Sequence, residues 1–316
     1  RSQFRAAKET KNYATDLSKN GLILIDQFVL PNFITKERYY NGLWDTLNLE
    51  QQQKTYFVPT LVMIKDEDFE EAYRKLRNCD RNFLIKEDYL TFSDLLFSLL
   101  HLFRVWFIKP STQKIASVDI SSLIREELLS RVGFGNALEG LLNYRFAQRL
   151  KEKSFNLSLV IDWWEGQPLD KGWNLGFHTF FPEIPIKGYL GYAPRLMELQ
   201  LCPSESEVKY GVAPETISII GKQFSSDMES KEPPFQTETA PAFRFDHLWD
   251  NSNTNEQHSG SFKILLALSV IENESVKICE QIIDSGLVEE HEFEFMIKPH
   301  PTMNMSTLKN RLSEKW

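Results

Sequence analysis

The sequence predicts an α/β protein, with two doubly wound domains of Rossmann type facing a cleft and the second one truncated. Three observations lead there. Short apolar runs alternate with helix-like segments through the first two thirds of the chain. A polar, proline-bearing stretch interrupts that alternation at 222–260. A single strand–helix–strand pattern follows, and the 57 residues after Ser259 are too few to complete a domain of this type. The expected organisation is therefore a domain over 1–221, an interdomain linker over 222–260, and the start of a second domain over 261–316.

The elements follow in order. "GLILIDQF" (21–28) and "YFVPTLVMI" (56–64) read as buried strands. "DEDFEEAYRKLRN" (66–78) reads as an amphipathic helix whose acidic first turn suits the helix dipole. "NFLIKEDYL" (82–90) is a third strand by its apolar content. Helices are expected over 92–108 and about 121–151, the second with Leu142, Phe146 and Leu150 on one face. "LLFSLLHLFRVWFI" (95–108) is too short to span a bilayer and reads as a buried or partner-facing helix. "FNLSLVI" (155–161) is a strand, and Pro168 suits the first turn of a helix over 168–180. "IPIKGYLGY" (184–192) is a short strand. "CPSESEVKYGVAPETISIIG" (202–221) gives a helix capped by Ser204 and Glu207, a stop at Gly211, then a strand. After the linker come a strand at 262–270, a helix over 272–286, a strand at 292–299 and the start of a last helix.

Composition narrows the function. A net charge of −8 argues against bulk attraction to nucleic acid or anionic lipid and leaves only local basic patches for either. The 13% aromatic content suits either an aromatic core or a cleft for sugars and nucleobases. Three scattered cysteines without a CxxC pair suggest neither a zinc site nor a disulfide framework, and fit a reducing cytoplasm. The opening "RSQFRAAKET" has no signal-peptide pattern. No G-x-G-x-x-G, Walker, G-x-S-x-G or H-E-x-x-H pattern is found.

Two segments carry candidate chemistry. In "FMIKPHP", Lys298 and His300 stand where a strand ends, the place where open parallel sheets bind ligands. A lysine, an imidazole and a following helix start suit a phosphate, although a proline-ended strand with an exposed histidine fits the same residues. In "DWWEGQPLDKG", Asp162 and Glu165 lie between a strand and a helix, placed to act as base or nucleophile, or simply to cap the helix. His178 is expected to be structural. His247 and Asp246, in "FRFDHLWD", sit near the domain junction.

"WWEGQPLDKG" followed by "IKGYLGY" resembles the E-x-Q-P-x-x-K and G-Y segments of bacterial surface-carbohydrate biosynthesis proteins. "IKPHP" resembles the His-Pro motif of GT-B transferases that use CMP-activated sugars, the sialyltransferases and Kdo transferases. Glycerophosphotransferases carry a similar pair. The resemblance covers 155–221 and 262–312. It implies a GT-B glycosyltransferase of capsule or O-antigen synthesis, with CMP-Kdo or CMP-sialic acid as donor and a glycan or lipid-linked acceptor. Lys298, His300 and Pro301 would hold the donor phosphate. Glu165 would do the chemistry with Asp162 beside it, and Gln167, Lys171 and Asp246 would face the acceptor or the cleft. Cationic side chains replace a metal in such enzymes, so no metal and no cofactor is expected. The implied location is the cytoplasm, with peripheral attachment to the inner face of the plasma membrane as an added option. A glycerophosphotransferase or a nucleotide-sugar epimerase of the same fold, and a non-catalytic subunit of a polysaccharide complex, are the alternatives.

Overall fold

The computed structural model describes residues 2–11, 20–109, 112–194, 198–230, 234–248, 262–290, 292–300, 303 and 305–312. They fall into two compact units, Arg1–Asp250 and Asn251–Trp316. The first holds a six-stranded, wholly parallel sheet: β1 (Leu22–Val29), β2 (Thr55–Leu61), β3 (Leu157–Trp163), β4 (Ile186–Leu190), β5 (Thr216–Ile220) and β6 (Gln236–Ala240). Their spatial order is β2-β1-β3-β4-β5-β6. The chain grows outward from β1 to β2, then returns to the other side of β1 to place β3. The reversal opens a crevice between the carboxyl ends of β1 and β3.

The strands read as near-continuous apolar runs because both sheet faces are covered. Leu22 and Leu24 of β1 pack with Tyr56 and Val58 of β2 against Phe146, Ala147 and Leu150 of α4 (Arg131–Glu152) and Trp173 and Phe177 of α5 (Pro168–Phe180); the helices that precede these include α1 (Ser2–Glu9), α2 (Phe69–Asn78) and α3 (Phe92–Leu99). The alternate residues, Ile23 and Ile25, face the other way into an aromatic cluster with Tyr40, Phe57, Trp163 and Tyr189.

Helices α4 and α5 meet backbone to backbone. A Cβ on Gly172 would lie 2.0 Å from the Gly140 carbonyl oxygen, and one on Gly140 would lie 2.5 Å from that of Pro168. Glycine is required at both positions, and the contact fixes the first turns of α5 against α4.

Two expectations are corrected. The segment 82–90 is not a strand: it makes one parallel bridge, Phe57 to Phe83, then a tight turn at Lys86–Asp88 that buries Lys86 and Glu87. The expected linker begins too early. Residues 222–240 form α6 (Lys222–Glu229) and the edge strand β6, which lengthen the first sheet. Positions 249–260 lie outside the described residues.

The second unit is one strand–helix–strand motif. Strands β7 (Phe262–Ala267) and β8 (Phe293–Lys298) pair in parallel, joined through α7 (Glu272–Asp284) and followed by α8 (Met305–Arg311). Leu268, Val276, Cys279 and Leu308 form its core. The helix over 272–284 is followed by Gly286 in the left-handed conformation (φ +77°), the stop its sequence suggests.

Candidate active site

The crevice at the carboxyl ends of β1 and β3 is built on consecutive residues with opposed tasks. Strand alternation sends Trp163 to one face of the sheet and Trp164 to the other, and both are fully buried. Each indole N–H finds an acceptor, as buried indoles usually do. Trp164 donates to the Leu201 carbonyl at 2.9 Å, and Trp163 donates to Oε1 of Glu165 at 2.8 Å. Gln167 Nε2 donates to the other oxygen, Oε2, at 2.5 Å. Glu165 is therefore a half-buried carboxylate with both oxygens oriented at the mouth of the crevice. Gly166 follows it at φ +70°, where a Cβ would also lie 2.0 Å from the Gln200 carbonyl oxygen.

Helix α5 is capped neither by Glu165 nor by Asp162. Asp170 does this work: its Oδ2 accepts from the backbone N–H groups of Glu165 (3.0 Å) and Gln167 (2.9 Å). Asp162 has no exposed surface. Its Oδ2 accepts from Asn174 Nδ2 at 2.6 Å, and its Oδ1 has no partner. Ile25 pairs with Ile161 across β1 and β3, so Asp26 and Asp162 come next to each other one residue further on. Asp26 is likewise buried, with Oδ1 unpartnered.

Burial therefore shapes the floor of the crevice. It raises the carboxyls of Asp162 and Asp170 well above the usual range, with the neighbouring acids adding to the effect. Asp26 is pushed up to about 7 by burial, against the opposing charge of Lys86. The Lys86 ammonium is buried too. Desolvation pulls it down, but Glu139, Glu87 and Asp26 more than compensate and leave it raised. Lys86 binds Glu139 and donates to Asn143 Oδ1 at 3.1 Å, tying the 86–88 turn to α4. Glu165 thus stands above a layer of acids whose carboxyls burial raises.

The other predicted residues have different surroundings. Lys171 is ion-paired with Glu207 on the short helix Glu205–Lys209. Asp246 is exposed in the turn Phe243–Leu248, close to Gly42. His178 is structural as expected: its Nδ1 lies 3.1 Å from the Asn174 carbonyl and 3.0 Å from that of Gly211. In the second unit, Lys298 is exposed at the end of β8 and His300 is half-buried just beyond it. Pro301 lies outside the described residues.

Four contributors escaped the sequence reading: Asp26, Lys86, Asp170 and Asn174. The pair Asp26-Gln27 inside "LILIDQFV" is a visible signal, since a carboxylate in a doubly covered strand needs a reason. Asp170 sits three residues after the N-cap Gln167, a capping-box spacing.

No protein-family model and no curated protein matches the chain. Among solved structures it is similar to the α,α-trehalose 6-phosphate synthase of Burkholderia multivorans, at 12% identity and a TM-score of 0.42. The alignment covers 93% of this chain and 66% of that one, so the chain spans just under two thirds of that protein's length.

Proposed function

We propose that this chain is a GT-B glycosyltransferase that moves a sugar from a nucleotide donor, CMP-Kdo or CMP-sialic acid, to a bacterial surface polysaccharide or its lipid-linked precursor. The observation that carries the reading is Glu165: a carboxylate at the topological switch point, oriented on both oxygens by Trp163 and Gln167. Glu165 acts as base on the acceptor hydroxyl, or as nucleophile if configuration is retained. Asp162 supports it from below. Residues 261–316 belong to the nucleotide-sugar-binding domain, where Lys298 and His300 neutralise the departing phosphate and Pro301 completes the His-Pro pair that holds the donor.

Peripheral attachment to an anionic membrane belongs to the same reading. Leu96, Leu99, Phe103, Trp106 and Phe107 are exposed along α3 and the short helical turns after it, so of the two readings, buried or partner-facing, the second fits. Between 92 and 118 the one acidic residue is Asp94, which is buried and held by Arg145 and Arg149, while Arg104, Lys109 and Lys114 supply positive charge. An apolar face with basic residues in a chain of net charge −8 suits anionic lipid. Among the described residues no helix is long and apolar enough to cross a membrane.

The test is calorimetry with CMP, UMP and ADP, followed by turnover of CMP-sugars. Tightest binding to CMP, weakened about 10-fold or more by His300→Ala, supports the reading. Equal affinity for all three nucleotides, or unchanged binding by the variant, overturns the CMP-sugar assignment.

A further inference from the structure

Two arginines stand on one tyrosine near Glu165, and among the described residues neither forms an ion pair with a carboxylate. Tyr39 packs edge-on against Trp163, with ring centroids 4.5 Å apart. The guanidinium carbon of Arg38 lies 5.6 Å from the Tyr39 ring centroid, and that of Arg244 lies 5.7 Å from it. They come from distant parts of the chain. Arg38 belongs to the turn after β1. Arg244 belongs to the turn Phe243–Leu248 after β6, which is anchored by the Tyr189 hydroxyl donating to the Pro241 carbonyl at 2.8 Å.

The nearby carboxylates are already engaged. Glu37 Oε1 accepts the backbone N–H groups of Arg38, Tyr39 and Tyr40 at 3.0, 2.8 and 3.1 Å, and its Oε2 binds Arg81. Glu165 is held by Trp163 and Gln167. Among the described residues, neither Arg38 nor Arg244 has a carboxylate oxygen within 4.0 Å. Both are half-buried. Burial, and then the like charge of Arg38, lower the basicity of Arg244. Glu165 offsets that in part, and an oxyanion reached by both guanidinium groups would complete their charge pairing.

We infer that Arg38 and Arg244 form an oxyanion-binding fork next to Glu165, which takes the negatively charged group of an acidic sugar substrate. The shared chemistry is a carboxylate or a phosphate on the sugar. This deepens the proposed function by making the glycan that approaches Glu165 an anionic one, and it rests on that reading for its role though not for the binding itself.

The experiment separates the two. Binding of N-acetylneuraminic acid, glucose 6-phosphate and uncharged glucose to the whole chain is measured by ligand-observed NMR at low salt. The melting temperature without ligand is measured in parallel. At least one of the two acids should bind at least 10-fold more tightly than glucose, and the one that binds tells carboxylate from phosphate. Arg38→Gln and Arg244→Gln should each lose that preference about 10-fold. The double variant should melt no lower than the parent, since a like-charge contact is removed. Glu165→Gln should keep the anion preference even where turnover is lost, so failure of the catalytic reading leaves the fork standing. Equal binding of glucose, no binding of either acid, or unchanged preference in both arginine variants overturns the inference. So does a double variant that melts lower and binds as the parent does, which marks the arginines as packing for Tyr39.

Discussion

Asn174 reaches across from α5 to hold one oxygen of Asp162 at 2.6 Å, and the other oxygen has no partner. A buried carboxyl so placed is better neutral than charged. Asp162→Asn keeps the shape, removes the charge and offers an N–H₂ towards the unpartnered carboxyl oxygens of the floor. Its melting temperature at pH 8 should match or exceed that of the parent. Asn174→Leu strands Asp162 and should cost about 1–3 kcal/mol. Urea titrations of both variants check this; a strongly destabilised Asp162→Asn means the aspartate is charged and matched.

Asp26 gives the stability a pH dependence. Its carboxyl rises from an ordinary 3.8 to about 7 in the fold, because burial outweighs the pull of Lys86. The folded state therefore holds a proton that the unfolded chain has released, and stability falls as pH rises between those two values. Glu87, raised by burial to about 7, acts in the same sense. The melting temperature should decline from about pH 5 to pH 8. Asp26→Asn should flatten the slope; a variant with the parent's slope removes Asp26 as its source.

Glu165→Gln should lower turnover about 10²- to 10⁴-fold, the usual scale for loss of a general base, with donor affinity nearly intact. Gln167→Ala removes one of the two donors that orient the carboxylate, and should reduce kcat by a smaller factor without shifting nucleotide affinity. Steady-state kinetics of the pair decides it: a fully active Glu165→Gln protein ends the assignment.

Gly172→Ala should cost about 1–3 kcal/mol by overpacking. The new methyl meets the backbone of Gly140, which has no side-chain freedom to yield. Thermal unfolding of Gly172→Ala beside the surface control Glu152→Ala measures it, and a difference below about 0.5 kcal/mol contradicts the contact.

The exposed face from Leu96 to Phe107 should bring the protein down with vesicles containing phosphatidylglycerol and not with neutral ones, less so at high salt. Trp106→Ser with Phe107→Ser should abolish it. If the double variant instead dissolves a dimer in size-exclusion chromatography and lipid binding never appears, the face is a protein interface.

The legible parts of this fold were those that local pattern dictates. Buried parallel strands such as "LILIDQFV" are apolar on both faces save for Asp26 and Gln27, and α5 begins at Pro168 and runs to Phe180 as its start signal implies. The misread parts depend on distant neighbours. "QTETA" is polar because β6 is an edge strand, so it looked like linker. "NFLIKEDYL" looked like a strand, but its Lys86 and Glu87 are drawn inward by partners that include Glu139, 53 residues away from Lys86. At the candidate site, Glu165 was visible from its place before Gly166. The acid beneath it at Asp26 and the arginines at 38 and 244 converge through the tertiary fold alone, and spacing along the chain holds no trace of that meeting.

The glycine contact between α4 and α5 also sets how this site can change over generations. Glu165 rides on a helix start fixed by main chain against main chain, so substitutions of core side chains elsewhere leave its position largely untouched. The turn that carries Arg38 is tied down by side chains, Glu37, the Tyr40 hydroxyl and Arg81, and the turn that carries Arg244 by Tyr189. If Arg38 and Arg244 recognise the glycan and Glu165 does the chemistry, as proposed, the two tasks rest on different supports, side chains for the loops and main chain for the helix start, and they meet only through Tyr39 on Trp163.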